Sequence, residues 1–431
     1  MNNDKVVFFW FRRDLRLEDN VGLYHALSSN FSVIPLFIFD KDILEKLPKN
    51  DARVTFIHQT LLDLNTKLKE VNSSLLVKHG KPLKVWKSLI NEFGIHKVFF
   101  NHDYEPYALD RDRKVTDMLN NEGVEVTSFK DHVIFEKYEV LKNDGDPYTV
   151  YTPYKNKWLD TFKLEEHTRS FNSSGLTDNF YEKRFEFPEL EDLGFTESKI
   201  KVQPYDLSVL SNYQKTRDYP SIDGTSKLSP YLRFGLISIR ELVKKGHDEN
   251  PVFLSELIWR EFFIQILFHF PKVVTNSFRK KYDNIKWRNN DEEFEKWCKG
   301  ITGYPMVDAG MRELNATGYM HNRVRMIVAS FLCKHLLIDW RWGEAYFAEK
   351  LLDYELASNN GNWQWAAGTG CDAAPYFRIF NPTTQIKKFD KDLEYINRWI
   401  PDLNELTYPG EIVDHKYARE RALKAYKLAI S

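Results

Sequence analysis

Cysteine is scarce in this 431-residue chain: Cys298, Cys333 and Cys371 stand alone, at wide and irregular spacing. That excludes a disulfide framework, offers no metal-site pattern, and fits a reducing, intracellular setting. Net charge is nearly absent as well, at −1. No global basic field draws nucleic acid, so any DNA binding has to come from a local patch. Long apolar runs are missing. The opening run Val6–Phe11 is six residues long and is followed at once by Arg12-Arg13-Asp14, which reads as a strand and not as a signal peptide. No segment approaches the length of a membrane span. A dinucleotide glycine fingerprint is lacking too: Gly22, Gly80, Gly94 and Gly123 sit singly in the first 130 residues, so Rossmann logic places no nicotinamide or flavin dinucleotide there. We find no internal repeat, low-complexity tract, general acid–base triad, metal cluster or activated nucleophile. The chain is expected to end shortly after a helix in HKYARERALKAYKLAI, with no disordered tail.

What is present is unusual in one stretch. Charged residues make up 29% of the chain, yet Leu356–Cys371 carries none. Such a run is expected to be buried, but it holds Asn, Gly, Gln and two tryptophans, Trp363 and Trp365, in place of Leu, Ile and Val. Buried amides among close-approach glycines suggest a pocket for a large, flat, hydrogen-bonding ligand. Aromatics reach 15%, and eight of the eleven tryptophans fall between Trp259 and Trp399.

Residues 1–130 alternate β-rich runs (6–11, 33–39, 75–79, 97–101, 124–129) with helical stretches (21–28, 52–70, 83–92, 108–120). Apolar strands separated by helices predict an α/β domain with a doubly wound, Rossmann-like parallel sheet. Residues 131–204 read as a long polar inter-domain linker with no sustained period, most loop-like at 170–178. From 205 to 431 the pattern is helical, predicting an all-α domain.

Three segments carry candidate chemistry. In Asp223–Tyr231, Ser229 is a natural N-cap and Pro230 a natural first helical residue, and hydroxyls ahead of a helix start also suit phosphate. Glu256, Trp259 and Arg260 fall at i, i+3 and i+4 on one face of a helix that is otherwise apolar. An internal Glu–Arg pair beside a core Trp satisfies that spacing; so does a pocket that receives a polar base, which gives buried charges a reason. Asn322 and Met326 are likewise i and i+4, with Arg325 adjacent, where a lone Met is ordinarily core filler.

The segments DYELASNNGNWQWAAGTGCDAAPYFRIFNP (353–382), LSELIWREFFIQILFHF (254–270) and GYPMVDAGMRELNATGYMHNRVRMIVASF (303–331) resemble the flavin-binding helical region of the photolyase/cryptochrome family. The opening FFWFRRDLRLEDN matches the family's first strand and turn, so the resemblance covers nearly the whole chain. Within the family the chain is most similar to the class I cyclobutane pyrimidine dimer photolyases. Relatives acting on (6-4) photoproducts carry histidines at the positions of Asn322 and Met326, and DASH cryptochromes usually differ at Trp259 and Met326.

The resemblance implies an activity and a site. It implies light-driven repair of cyclobutane pyrimidine dimers, a carbon–carbon lyase reaction in which excited, reduced FAD passes an electron to a flipped-out dimer. Tyr213, Thr225, Ser226, Lys227, Leu228 and Ser229 would hold the cofactor's pyrophosphate side; Arg260, Arg325, Asp353, Glu355 and Asn359 would surround its ring, with Asn359 facing N5. At Glu355 the family usually has Asp, one methylene shorter. Glu256 would hydrogen-bond the pyrimidine, Trp259 and Trp365 would sandwich it, and Asn322 and Met326 would complete the pocket. Trp363, Trp340 and Trp287 would relay electrons from flavin to surface. Arg217, Arg323 and Arg378 would contact DNA, aided by the basic run Arg279-Lys280-Lys281, Lys286 and Arg288. The N-terminal domain, around Tyr104–Asp112, would carry an antenna chromophore; methenyltetrahydrofolate is our choice, with deazaflavin, FMN or none as alternatives. UV-damaged DNA is the partner; no metal, membrane or obligate protein partner is expected, and a cytoplasmic monomer is. The alternative is a cryptochrome-type blue-light photoreceptor signalling through a partner.

Overall fold

The computed structural model describes residues 5–430, which form two compact units. The first comprises the chain up to Glu139 together with Thr161–Gln203 and Leu228–Asp248; the second comprises Val140–Asp160, Pro204–Lys227 and the chain from Glu249 onward. The 131–204 stretch is therefore divided between the two, and 228–248 packs with the N-terminal unit.

The first unit is built on five parallel strands, β1 (Val6–Phe11), β2 (Ser32–Asp40), β3 (Leu76–Gly80), β4 (Ile95–Asn101) and β5 (Glu125–Phe129), in the order β3-β2-β1-β4-β5. Helices Val21–Leu27, Ala52–Glu70, Pro82–Glu92 and Pro106–Asn121 link them, as the sequence alternation predicts. Side chains alternate across a strand, and β1 shows both faces covered. Val7, Phe9 and Phe11 enter one apolar cluster with Leu23, Val33 and Leu61; Val6, Phe8 and Trp10 enter the other with Trp86, Leu89 and Val115. An α/β unit with a doubly wound sheet results.

Strand order reverses between β1 and β4, the place where such sheets open a crevice. A small cleft there is lined by Arg12, Arg13, Asp14, Asn101, His102, Asp103, Asp131 and His132. Its charges are largely tied to one another: Arg12 to Asp112 at 2.6 Å, Arg13 to Asp103 and Glu105 at 3.2 and 3.0 Å, and Asn101 to Asp14 at 2.6 Å. Beside it, His102 bridges Ser128 Oγ (3.0 Å) and Glu136 (2.8 Å), and Tyr104 OH donates to the same carboxylate. This hydroxyl–imidazole–carboxylate arrangement was not visible in the sequence. With His102 N donating to Phe129 O at 2.7 Å, it clamps the ends of β4 and β5 to the 131–136 segment.

The second unit is helical. Its largest cluster gathers Trp297, Tyr304, Met306, Leu332, Trp340, Phe347 and Trp363. Helix Tyr151–Thr161, read from sequence as irregular linker, packs Tyr151, Tyr154 and Trp158 inward. Among the described residues no helix is long and apolar enough to cross a membrane.

Candidate functional site

Helix Pro251–His269 forms one wall of the site. Asn250 starts it by accepting from the N–H groups of Val252 and Phe253, and Pro251 takes the first turn, where a missing N–H costs nothing. Its outer face presents Glu256 and Trp259, both half-buried. Arg217 Nη1 donates to Glu256 Oε1 at 2.5 Å, and its guanidinium lies 5.2 Å from the Tyr213 ring. The Glu–Arg pair of the site is therefore Glu256–Arg217, not Glu256–Arg260. Arg260 instead points to Glu355 Oε1, 3.4 Å away. On the buried side, Glu261 accepts from Trp158 Nε1 (2.6 Å) and Tyr154 OH (3.1 Å), which docks helix Tyr151–Thr161 onto this wall.

Helix Leu356–Ala367 forms another wall. Asn359 is 8% exposed, and its Nδ2 donates to the backbone O and the Oε1 of Glu344 at 3.1 and 2.8 Å. That anchorage turns Oδ1 the other way, so the amide presents an acceptor. Burial raises the Glu344 pKa, and the Asn359 hydrogen bond opposes the rise. The remaining amides have a different use. Asn360 and Gln364 both donate to Val273 O at 3.0 Å, and Gln364 Oε1 accepts from Phe278 N at 2.8 Å, pegging the 273–278 loop to the helix. The glycines also serve packing. A Cβ on Gly361 would lie 2.2 Å from the Phe263 ring, and one on Gly343 would lie 2.1 Å from Trp363. The uncharged run is thus explained mostly by close helix contact and backbone satisfaction, with Asn359 held through Glu344.

Glu355 occupies the N-cap of this helix but makes no capping hydrogen bond. The longer side chain carries its carboxylate past the helix N–H groups to Ser358 Oγ (2.8 Å) and Arg260. Asp353 grips Arg325 through two hydrogen bonds of 3.2 and 2.9 Å, while Arg325 Nε donates to Met320 O at 2.7 Å. Helix Asn322–Ser330 begins at His321, whose Nδ1 accepts from Arg323 N. Asn322 is exposed and Met326 half-buried, one turn apart. Arg323 reaches Asp218 at 2.7 Å and contacts Met326 Sδ at 3.6 Å.

Of the residues that the resemblance assigns to the cofactor's pyrophosphate, Tyr213, Thr225, Ser226 and Lys227 belong to the second unit and Leu228 and Ser229 to the first. Ser229 is not the N-cap. Leu228 already has helical dihedrals (φ −72°, ψ −20°), so the helix starts at Ser229 and its hydroxyl makes no cap. Lys227 has φ +52°, a left-handed backbone that a non-glycine residue holds only where its surroundings impose it. Its Nζ lies 3.0 Å from Asp223, and Thr225 Oγ1 is 3.2 Å from Tyr319 OH.

Trp363 and Trp340 are 2% and 1% exposed within one apolar cluster, and Trp287, half-buried, packs against it. Trp287 meets Tyr426 edge-on at 5.9 Å. Trp365 is half-buried, with the exposed Arg378 guanidinium 6.0 Å from its ring. Of the basic run, Arg279 binds Cys371 O and Arg288 pairs with Glu293, while Lys280, Lys281 and Lys286 are exposed. Among the described residues no group of three or more His, Cys, Asp or Glu side chains could hold a metal ion.

Sequence reasoning missed Tyr151, whose ring stacks on Trp259, as well as Glu344. The first was legible as part of a Tyr151, Tyr154, Trp158 helical period; nothing local pointed to the second.

Residues 7–172 match the family model described as DNA photolyase, and residues 253–407 match the model described as the FAD binding domain of DNA photolyase. The deoxyribodipyrimidine photo-lyase of Halobacterium salinarum is 37% identical, with 98% of each chain covered. Among solved structures, a bacterial class III photolyase from Agrobacterium tumefaciens superposes with a TM-score of 0.88 at 34% identity, covering 100% of this chain and 98% of the other. An archaeal photolyase from Sulfolobus tokodaii, described with two FAD molecules and as implicating a novel light-harvesting cofactor, gives 0.84 at 35% identity, covering 98% and 99%.

Proposed function

The chain belongs to the DNA photolyase family, and on that premise we propose that it repairs cyclobutane pyrimidine dimers in UV-damaged DNA, using FAD and light. The observation that carries this reading is the Glu256–Trp259 face: a half-buried carboxylate and an indole one turn apart, with Arg217 on the carboxylate.

The residues present fit a flavin. Asn359 offers a fixed acceptor at a buried position, Arg325 and Arg260 are matched by Asp353 and Glu355, and the strained Lys227 marks a shaped loop. When bound, reduced FAD would supply on illumination an electron that opens the cyclobutane ring and then returns to the cofactor, so no net oxidation occurs. The protein's own part is to bind, orient and keep dry. A dimer within a duplex has to leave the stack, and a damaged pair is held weakly, which lowers that cost; photolyases are among the standard cases of such flipping. Trp259 and Trp365 stack on the flipped bases, since every base has a π-face. Glu256 accepts from the polar edge of the pyrimidine, and Asn322 and Met326 line the pocket. Arg217 and Arg323, now held by Glu256 and Asp218, exchange these carboxylates for phosphates, with Arg378 as a third contact. Asp223 yields Lys227 to the cofactor phosphates, alongside Tyr213, Thr225, Ser226, Leu228 and Ser229. Trp363, Trp340 and Trp287 would form the path between flavin and surface by which an external reductant could reduce an oxidised flavin; repair itself would consume no electron.

In this proposal residues 1–130 serve an antenna, 131–204 connect, and 205–431 hold flavin and DNA. Methenyltetrahydrofolate remains our antenna choice. The class I subtype, a cytoplasmic location and a monomer without obligate protein partners complete it. The test is thymine absorbance recovery in UV-irradiated oligothymidylate mixed with reduced protein. Recovery in blue light and none in darkness is expected; no recovery with fully reduced flavin bound would favour the photoreceptor alternative.

A further inference from the structure

Tyr151 is 7% exposed, and its ring lies parallel to that of Trp259, with centroids 3.5 Å apart and planes within 8°. Directly superposed aromatic rings are disfavoured relative to offset or edge-on pairs, so ring attraction alone does not account for this arrangement. Two anchors do. Tyr151 OH donates to Ser255 O at 2.7 Å, one turn before Trp259, and Tyr151 N donates to Asp372 Oδ2 at 3.0 Å. Asp372 follows the helix that carries Trp365, so a single residue ties together the two segments bearing the stacking tryptophans. Phe262 meets both rings edge-on, at 5.8 Å from Tyr151 and 5.6 Å from Trp259, and blocks sideways movement.

We infer that Tyr151 is a positioning residue, holding the plane of the Trp259 indole so that its remaining surface is preset to stack on a flipped pyrimidine. This rests on the dimer-repair reading above. Tyr151 touches Trp259 at van der Waals distance and fixes a ring that is only half-buried. Without it the indole keeps its contact with Phe263, at 5.4 Å and 29°, but samples other orientations before a base arrives. Preorganisation of this kind acts on damage recognition and leaves phosphate contacts alone.

The test compares affinity for a dimer-containing oligonucleotide with affinity for the undamaged one, using FAD-loaded protein. Tyr151→Leu removes the ring and is expected to weaken dimer binding about tenfold, with undamaged binding unchanged. Tyr151→Phe keeps the ring, loses only the Ser255 hydrogen bond, and is expected to stay within about threefold of wild type. Where the Leu variant does not fold, Tyr151→Met offers a longer, more adaptable side chain without a rigid ring and is read by the same ratio. A wild-type ratio in the Leu or Met variant, or equal losses in Phe and Leu, overturns the inference. Wild-type protein that shows no preference for dimer DNA overturns the dimer-repair reading itself, and the inference with it.

Discussion

Replacing Gly343 by alanine tests the packing of the electron relay more sharply than any tryptophan substitution. Gly343 lies in helix Trp340–Lys350, facing Trp363. An added Cβ would stand 2.1 Å from Trp363 Cη2, 2.4 Å from Cζ3 and 2.6 Å from Leu332 Cδ2. Carbon atoms in contact sit about 3.5 Å apart, so the indole has to retreat by about 1.4 Å. It has little room to do so: Trp363 is 2% exposed and hemmed in edge-on by Phe347 at 5.0 Å and Trp297 at 6.1 Å. Overpacking of this kind costs about 1–3 kcal/mol. Alanine recovers up to about 1 kcal/mol through its helix propensity. The net expectation is a destabilisation of about 1–2 kcal/mol in urea unfolding, together with slowed light-driven flavin reduction, because the displaced ring is the proposed first relay. Chemically reduced protein should still repair dimers. Gly175→Ala, whose Cβ would meet nothing within 4 Å, is the control, expected to stay within about 0.5 kcal/mol. Unchanged stability with wild-type photoreduction in Gly343→Ala would refute both the packing and the relay reasoning.

Other expectations follow from the same geometry. Glu261→Leu removes the acceptor used by buried Trp158 and Tyr154 and should cost about 2–3 kcal/mol in urea unfolding, whereas Glu261→Gln, which keeps a carbonyl acceptor, should cost less. Glu344→Leu removes the side-chain one of the two acceptors that hold the Asn359 amide and leaves the backbone O; repair per bound flavin should fall, and fall less in Glu344→Gln, which keeps a side-chain acceptor. Burial, reinforced by the nearby Arg325 charge, pulls the His321 pKa from 6.5 down to about 4. The unfolded chain then binds more protons between those values, so stability is full above pH 6.5 and is lost as pH falls toward 4. The loss from this group amounts to about 3 kcal/mol, read as a fall in urea midpoint that is smaller in His321→Asn.

The fold was largely legible because β1 and β2 are near-continuous apolar runs and the more polar β3, β4 and β5 alternate with helical stretches. Val6–Phe11 and Ala52–Glu70 fall where the pattern puts them, and the other strands and linking helices differ by one or two residues. Helix Tyr151–Thr161 escaped because its buried positions are a few aromatics among polar residues, with Pro153 early in the helix, so no aliphatic period stands out. Ser229 looked like a cap from residue type alone, but capping depends on the dihedrals of the preceding residue, and Leu228 is already helical. At the site, the i, i+3 spacing of Glu256 and Trp259 and the i, i+4 spacing of Asn322 and Met326 each span about one turn of a helix that the structure contains. Spacing could not give Glu256 its partner, since Arg217 is distant in sequence and meets it only through tertiary packing. The same holds for Glu344 and Asn359, which lie on different helices. Of the amides in the uncharged run, Asn359, Asn360 and Gln364 are buried as expected and Asn362 is exposed, and burial for a ligand and burial against backbone look alike in sequence.

The most direct test of the central claim is light-driven repair by Glu256→Ala beside wild type, both fully reduced and loaded with FAD. Wild type should restore thymine absorbance in blue light and not in darkness. The variant should be at least about tenfold slower, because one charged hydrogen bond in a shielded pocket is worth about 1.5–3 kcal/mol. Equal rates for the two proteins, or recovery in darkness, would contradict the assignment of the Glu256–Trp259 face as the repair site.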